Sequence, residues 1–410
     1  MPTQVAGKER IQTSGFIETL EKPLVQMKEQ RRMAIGVPKE LQAQESRVAL
    51  TPDAVAVLVN NGHQVIVEAD AGLKANFPNS EYIDAGAIIS HNTAELYQKS
   101  DFIVKIAPLS EEELPLLREK QTVISAINLG SLTPHYLYHF LKKNITGIGF
   151  EFLQSDGEAL PVVQMMSEIA GVASIQIASE LLADKKYGQG ILLGGVTGIP
   201  PAVITIIGAG TVGYHAARTA LGMGANVRII DESISKLISI KKELGLEIYT
   251  AVSQYNYIRD AVMQSDVVIG AAFKKGKRAP LVVLEDMVER MKKGSVIIDV
   301  SIDQGGCIET SRITTHDNPV FTKHGVVHYC VPNIASKFPR TASIAVSNVL
   351  GPLLISIGEH NGLENLIRLN SGVRQGVYTY RKHITKKTIA NLFGMGMNFR
   401  DIGLLIATLV

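Results

Sequence analysis

The feature that most constrains the fold is a glycine-rich turn between an apolar run and a predicted helix. The run Val203–Ile207 is apolar and largely β-branched, which is typical of a buried parallel strand. Glycines follow at the spacing G-x-G-x-x-G, at Gly208, Gly210 and Gly213. The first allows a sharp turn, the second lets the backbone approach a pyrophosphate, and the third lets the helix pack closely on the strand. The N-terminus of that helix supplies unpaired N–H groups for an anion.

An acidic residue beyond the turn refines the choice of nucleotide. A second predicted strand, 226–230, ends at Asp231. A carboxylate at this place accepts hydrogen bonds from both ribose hydroxyls of NAD and repels the 2′-phosphate of NADP. We therefore predict an NAD site. The alternative is that the glycines form only a structural turn between a strand and a helix.

Size, charge and cysteine content limit the function classes. A chain of 410 residues has room for two or three domains, each with its own core. Its net charge of +2 gives no sign of a nucleic-acid surface or of a polybasic membrane patch. Cys307 and Cys330 lack metal-ligand spacing, and so few cysteines in a chain of this length indicate a reduced, cytoplasmic protein.

Neither a membrane span nor a metal site is predicted. The stretch Tyr187–Tyr214 carries no charge, but its glycines and the pair Pro200-Pro201 indicate a strand, a loop and a second strand. The N-terminus has charged residues where a signal peptide has an apolar core. Three histidines, His316, His324 and His328, form no recognisable metal motif.

Alternating strand and helix signals predict the fold class and the domains. We expect an α/β protein with two doubly wound parallel-sheet domains, the second a Rossmann NAD-binding domain inserted into the first. Residues 1–32 form an N-terminal extension, 33–160 plus 340–410 the substrate domain, and 161–339 the NAD-binding domain. A long apolar helix over 167–184 connects the two, and Thr51 is predicted to cap a helix that starts at Pro52.

Three polar residues follow predicted strands closely enough to be pocket candidates. Lys105, Asn128 and Asp303 lie at the carboxyl ends of strands, where ligands gather in open parallel sheets. Each has a structural alternative. The lysine side chain can extend from a strand end to solvent, and the asparagine and the aspartate can be turn residues.

Five motifs occur in one order and at close spacing along the chain. They are Arg47–Pro52, Met166–Gly171, Gly194–Val196, the glycine turn, and Asp303–Cys307. In this combination the chain resembles the alanine dehydrogenase branch of the alanine dehydrogenase and transhydrogenase NAD-subunit family, over about residues 33–375. The Asp-Gln-Gly-Gly of the last motif favours the dehydrogenase branch over the transhydrogenase subunit. The resemblance implies NAD-dependent interconversion of L-alanine with pyruvate and ammonia, in a homo-oligomer, often a hexamer, with apolar surface from the return helices in 340–410.

The resemblance also implies site residues. Arg47 matches the arginine that holds the substrate carboxylate, a role suited to its planar fork of donors. Lys105 matches the lysine that contacts the keto acid, where an ammonium polarises the carbonyl. Asp303 matches an acid beside the nicotinamide that takes part in proton transfer and needs a raised pKa to donate near neutrality. The cofactor-binding positions are Ser167, Gly208, Gly210, Gly213, Asp231 and Asn333.

One departure from the family concerns the proton-transfer groups. The family has a histidine where this chain has Asn128, and an amide can donate a hydrogen bond to a carbonyl but cannot exchange a proton. The Lys105–Pro108 turn also lacks the second lysine and the glutamate common there. Two alternatives therefore stay open. One is a dehydrogenase for another amino acid and keto acid pair or for a secondary amine, and the other is a catalytically weak NAD-binding module.

Overall fold

Two sheets with flanking helices make up the described part of the chain. The computed structural model describes residues 31–130, 132–155, 158–274 and 278–407. Almost all of the predicted extension, residues 1–30, lies outside the described residues. The strands, in chain order, are β1 (Ala34–Val37), β2 (Gln64–Glu68), β3 (Ile88–Ser90), β4 (Phe102–Val104), β5 (Thr122–Ser125), β6 (Thr146–Gly149), β7 (Val203–Ile207), β8 (Asn226–Asp231), β9 (Tyr249–Val252), β10 (Val267–Gly270), β11 (Val296–Asp299), β12 (Val320–Lys323), β13 (Val326–Tyr329), β14 (Val377–Tyr380) and β15 (His383–Ile384).

The helices pack on both faces of these sheets. In chain order they are α1 (Pro52–Asn60), α2 (Asn79–Asp84), α3 (Thr93–Lys99), α4 (Pro134–Lys142), α5 (Pro161–Ala183), α6 (Thr211–Gly222), α7 (Ile234–Leu244), α8 (Tyr255–Gln264), α9 (Glu285–Val288), α10 (Pro339–Glu359), α11 (Leu363–Leu369), α12 (Ser371–Gly376), α13 (Lys387–Leu392) and α14 (Ile402–Ala407). Short 3₁₀ turns join several of them. The alternation of strand and helix confirms the predicted α/β class.

The first sheet has the strand order β15-β14-β6-β5-β4-β1-β2-β3. Its strands run parallel from β6 to β3, and β14 and β15 add an antiparallel edge. The chain winds outward in both directions from β1, which lies between β4 and β2. The loops that follow β1 and β4 therefore diverge and open a crevice at the carboxyl ends of the strands.

The second sheet has the order β12-β13-β11-β10-β7-β8-β9 and is parallel except for β12. Its interior strand β7 is paired with β10 on one side and β8 on the other, and Ile204 and Ile206 are buried in the core, as expected for a β-branched run in a parallel sheet. The order reverses at β7, so the glycine turn lies at the switch point. This topology confirms the predicted Rossmann arrangement.

Two long apolar helices connect the sheets. α5 packs against both α6 and α10, and a Cβ atom at Gly171 would overlap the carbonyl oxygen of Val212 in α6. Both α5 and α10 are long and apolar enough to cross a membrane by length and composition, and about half of each is buried inside the protein. Their apolar character therefore fits core packing. α5 starts before the predicted residue 167, because Pro161 occupies its first turn.

The predicted helix cap at Thr51 is wrong in its chemistry. Thr51 does precede α1 in extended conformation, but its side chain makes no cap hydrogen bond. Its hydroxyl instead lies 3.2 Å from the hydroxyl of Ser347 in α10, and its backbone N–H donates to the same oxygen at 3.0 Å. The hydroxyl of Thr51 is thus hydrogen-bonded to Ser347 in α10 and not to an N–H group in the first turn of α1.

Candidate active site

The glycine turn leaves room for an anion at the N-terminus of α6. A Cβ atom at Gly208, where φ is +113°, would overlap the carbonyl oxygen of Ala271, and one at Gly213 would overlap that of Gly208. A Cβ atom at Gly210 would have no protein atom within 4 Å among the described residues. The first and third glycines are therefore required by packing, while the second borders open space. This cradle fits a pyrophosphate.

Asp231 is fixed at the edge of the same space. It ends β8, is only 7% exposed, and accepts hydrogen bonds from the N–H groups of Ala209 at 2.7 Å and Ser233 at 2.8 Å. A cavity of about 310 Å³ lies beside it. Its lining includes Ser167, Gly208, Gly210, Thr211, Asp231, Lys236, Ser253 and Ala271. The two hydrogen bonds thus fix the carboxylate at the wall of this cavity.

A second cavity of about 310 Å³ continues from the first toward the first sheet. The two share a wall formed by Val163, Ser167, Val212 and 271–273. The second cavity adds polar side chains from both halves of the chain, namely Arg47, Glu151, Ser301, Asp303, Gln304 and Asn333. One continuous cleft therefore joins the nucleotide side to residues that follow β1 and β6.

Arg47 is held by a neighbouring carboxylate. It donates from Nε to Glu45 Oε1 at 2.7 Å and from Nη2 to Glu45 Oε2 at 2.6 Å. Burial opposes the charge of Glu45, but the hydrogen bonds and charge of Arg47 keep the pKa of Glu45 below its usual value. The remaining nitrogen, Nη1, donates to Met166 Sδ at 3.4 Å. A thioether is a weak acceptor, so a substrate carboxylate can replace it.

Asp303 lies in a 3₁₀ turn, Val300–Gln304, directly after β11. Its Oδ1 accepts the backbone N–H of Asn333 at 2.8 Å, and Asn333 adopts a left-handed conformation with φ of +55°. The carboxylate is open to the cleft, yet the surrounding walls displace water, and this desolvation raises the pKa of Asp303 against the attraction of Arg47. An acid with a raised pKa at the cleft wall can exchange protons.

Lys105 is placed away from the cleft. Its side chain is 1% exposed, and its Nζ lies 2.5 Å from Glu113 Oε1 and 3.8 Å from Glu40 Oε2. Glu40 in turn accepts the N–H of Ile106 at 2.6 Å, and burial raises the pKa of Glu40 to about 7. Lys105 is absent from the described lining of both cavities. Its ammonium must leave two carboxylates to reach a substrate.

Asn128 lies on an exposed loop after β5, with φ of +42°. It does not line either cavity in the described part of the chain, but its backbone N–H donates to Glu151 Oε1 at 3.3 Å. The structure thus brings together Arg47, Ser167, Asp303 and Asn333 and leaves Lys105 and Asn128 outside the cavity walls.

Glu151 is a cleft residue that sequence reasoning missed. It follows β6 directly, in a 3₁₀ turn flanked by two phenylalanines. The available signal was its position, because an acid after a buried strand lies at the same edge of the sheet as the residues after β5. Nothing in the sequence pattern distinguished it from an ordinary turn residue.

The chain is similar in sequence to known proteins over most of its length. The chain matches two family models, described as Alanine dehydrogenase/PNT, N-terminal domain, over residues 36–170, and C-terminal domain, over residues 174–387. The alanine dehydrogenase of Bacillus subtilis (strain 168) is 40% identical over 363 residues, which cover 88% of this chain and 95% of that protein. That of Staphylococcus haemolyticus (strain JCSC1435) is 39% identical over 364 residues, 88% of this chain and 97% of that one.

Solved structures agree with these matches. An L-alanine dehydrogenase superposes with a TM-score of 0.83 at 33% identity, covering 88% of this chain and 99% of that chain. A transhydrogenase from Sinorhizobium meliloti superposes with a TM-score of 0.73 at 24% identity, covering 86% and 98%. The second likeness concerns the fold alone.

Proposed function

Because the chain belongs to the alanine dehydrogenase/PNT family, we infer that it is an NAD-dependent alanine dehydrogenase, which interconverts L-alanine with pyruvate and ammonia. The observation that carries this inference is the continuous cleft, with a glycine cradle and Asp231 at one end and Arg47 and Asp303 at the other. A redox nucleotide and a small carboxylate fit side by side in such a cleft.

The residues present fit the cofactor. When bound, NAD accepts the hydride that leaves Cα of the amino acid. The open space at Gly210 and the N-terminus of α6 would receive the pyrophosphate, and the Asp231 carboxylate would accept hydrogen bonds from the ribose hydroxyls. Ser167 borders both cavities, and Asn333 borders the substrate-side cavity.

On the substrate side, Arg47 binds the substrate carboxylate and Asp303 takes up and releases protons. The predicted contact of Lys105 with the keto acid stays a prediction, since its ammonium is paired with Glu113. The predicted hydrogen bond from the Asn128 amide to the substrate carbonyl also stays a prediction, because Asn128 does not line either cavity in the described part of the chain. We propose that residues 33–160 plus 340–410 form the substrate domain and that residues 161–339 form the NAD-binding domain. The division is supported by β14 and β15, which follow residue 340 and pair in the first sheet.

The direct test is a spectrophotometric assay of the purified protein. Oxidation of NADH is expected to require pyruvate and ammonium together, and L-alanine is expected to reduce NAD. A protein that is silent in all such mixtures contradicts the alanine assignment. Replacing pyruvate and ammonium by other keto acids and by longer amines tests the alternative that Asn128 signals a different substrate pair. Tight NADH binding without turnover, with activity gained on Asn128→His, would instead identify a weakened enzyme.

Arg47→Lys is expected to raise KM for L-alanine about tenfold with a smaller effect on kcat. Lysine keeps the charge but loses the planar fork, so about one charge-assisted hydrogen bond of about 1.5 kcal/mol is lost. Steady-state kinetics at saturating NAD measures the change. Arg118→Lys is the matched control, because Arg118 pairs with Asp101 at 2.6 Å outside the cleft. An unchanged KM in the Arg47 variant would remove the arginine from the substrate site.

We also propose a cytoplasmic homo-oligomer. Both cysteines are buried and free, which fits a reducing compartment. A loop between α5 and β7 exposes apolar side chains, with Leu192 69% and Ile199 64% exposed. Exposed apolar side chains in one connecting segment are typical of an interaction surface.

The double substitution Leu192→Asp and Ile199→Asp is expected to dissociate the oligomer, because charges in an apolar contact lose their hydration. Light scattering after size exclusion measures the mass. Leu404→Asp, in the return helices, tests the surface that the sequence predicts, and Ile238→Asp on α7 is the control. A wild-type monomer would contradict the proposal.

A further inference from the structure

Glu151 lies in the wall of the substrate-side cavity, and the proposed function gives it no role. It follows β6, whose neighbour β5 leads to Asn128, and it lines the substrate-side cavity together with Arg47 and Asp303. A role of Glu151 in proton transfer rests on the proposed function, because it concerns the proton chemistry of an amino substrate.

The two carboxylate oxygens of Glu151 have unequal surroundings. Oε1 accepts the N–H groups of Ile127 at 2.6 Å and Asn128 at 3.3 Å. Oε2 is buried and has no hydrogen-bond partner among the described residues. A buried charged oxygen without a donor is unfavourable, so the site favours a neutral carboxyl or an arriving cation. Burial accordingly raises the pKa of Glu151, although the two N–H groups oppose the change.

The charges in the cleft point to a cationic ligand group. Arg47 is already paired with Glu45, whereas Asp303 and Glu151 have no basic side chain within salt-bridge distance among the described residues. A substrate that exchanges its carboxylate onto Arg47 brings a second group into the region of these acids. An ammonium or iminium nitrogen suits this region, because its positive charge compensates the negative charge of the two acids. A neutral hydroxyl group does not compensate the charge of either acid.

Glu151 is the titratable side chain next to the loop residue Asn128. The amide of Asn128 cannot take up or release a proton at any accessible pH. Glu151 accepts a hydrogen bond from the backbone of Asn128, so a carboxyl that can titrate lies directly beside a side chain that cannot. It is also able to titrate and is held in one orientation by Oε1.

We propose that Glu151 is a catalytic residue that exchanges the proton of the substrate's amino nitrogen. Before hydride leaves Cα, the carboxylate takes one proton from the ammonium of the amino acid, and the nitrogen lone pair then forms the C=N bond as the hydride departs with its electron pair. Water adds to the iminium carbon and gives a proton to Asp303. Glu151 returns its proton to the nitrogen, and ammonia leaves with the C–N pair. The hydroxyl proton passes to solvent as the carbonyl forms, and Asp303 releases its proton to solvent before the next turnover.

Glu151→Gln tests this assignment, because glutamine keeps the size and an acceptor oxygen for both N–H groups but cannot titrate. Activity with L-alanine is measured across pH, and NADH binding is measured by fluorescence. We expect kcat to fall about 100-fold and NADH affinity to stay within about twofold. The acid limb of the pH profile due to Glu151 is expected to be lost. Glu151→Asp keeps a titratable group and is expected to retain a displaced acid limb with about a tenfold lower kcat.

Glu289→Gln, on an exposed surface, is the matched control and is expected to behave as wild type. A Glu151→Gln variant with wild-type kcat and pH profile overturns the proposal, and so does loss of NADH binding in parallel with activity, which indicates a structural role. If the glutamine variant fails to fold, an unmoved acid limb in Glu151→Asp overturns it.

The outcomes separate this proposal from the function on which it rests. A wild-type protein that oxidises a different amino acid contradicts only the alanine assignment, and the Glu151 variants are then compared on that amino acid. A wild-type protein that oxidises L-alanine and tolerates Glu151→Gln contradicts only the role of Glu151. A wild-type protein that oxidises no amino acid contradicts both.

Discussion

Replacement of Asp303 by asparagine is expected to lower kcat for alanine oxidation about 1000-fold while NADH affinity stays within about twofold. Asparagine has nearly the same shape, and its side-chain oxygen still accepts the N–H of Asn333, which the aspartate binds at 2.8 Å. The variant therefore keeps the local backbone and loses only the proton that the acid exchanges. Stopped-flow absorbance of NADH separates the chemical step from cofactor release.

The pH dependence of the same reaction has a definite sign. Desolvation in the cleft raises the pKa of Asp303, so the acid is protonated at a higher pH than a solvated aspartate. Alanine oxidation needs the ionised form as proton acceptor, and its rate therefore falls as pH drops through this raised pKa. The Asp303→Asn profile is expected to lack that limb. Asp84→Asn, at an exposed helix end, serves as control, and an active Asp303→Asn enzyme would remove the aspartate from proton transfer.

Gly213→Ala is expected to weaken NADH binding about 1000-fold. The added methyl carbon would overlap the carbonyl oxygen of Gly208, so the turn and α6 must move apart. This displacement breaks two or three hydrogen bonds between helix N–H groups and the pyrophosphate, at about 1.5 kcal/mol each. Isothermal titration with NADH measures the loss, and thermal unfolding reports how much stability goes with it.

Gly222→Ala is the matched control for that substitution. It lies at the other end of α6, and a Cβ atom there would have no neighbour within 4 Å in the described structure. Alanine at this place is expected to leave NADH binding unchanged and to stabilise the protein by up to about 1 kcal/mol. Equal behaviour of the two alanine variants would show that the turn does not require its third glycine.

The sequence was sufficient for the nucleotide half of the cleft because its signals are local. A β-branched strand, glycines at fixed spacing and an acid after the next strand all lie within one βαβ unit. The structure places each of them where the sequence predicts it. Long-range partners decided the features that were predicted less well. The hydroxyl of Thr51 is hydrogen-bonded to Ser347, and the ammonium of Lys105 is paired with Glu113 and Glu40. No sequence pattern distinguished Glu151, because the N–H groups that hold its carboxylate come from the loop that follows β5.

The pairing of Arg47 has a consequence for how the two ligands affect one another. Glu45 binds Arg47 with both oxygens and also accepts from Asn333 at 3.0 Å, and Asn333 holds Asp303 through its backbone. One row of hydrogen bonds thus runs from the first sheet to the second across the cleft. A substrate carboxylate that replaced Glu45 on Arg47 would break this row at one end, and a nucleotide that displaced Asn333 would break it at the other. By thermodynamic linkage, any change that one ligand makes in the affinity for the second is matched by an equal change in the reverse direction.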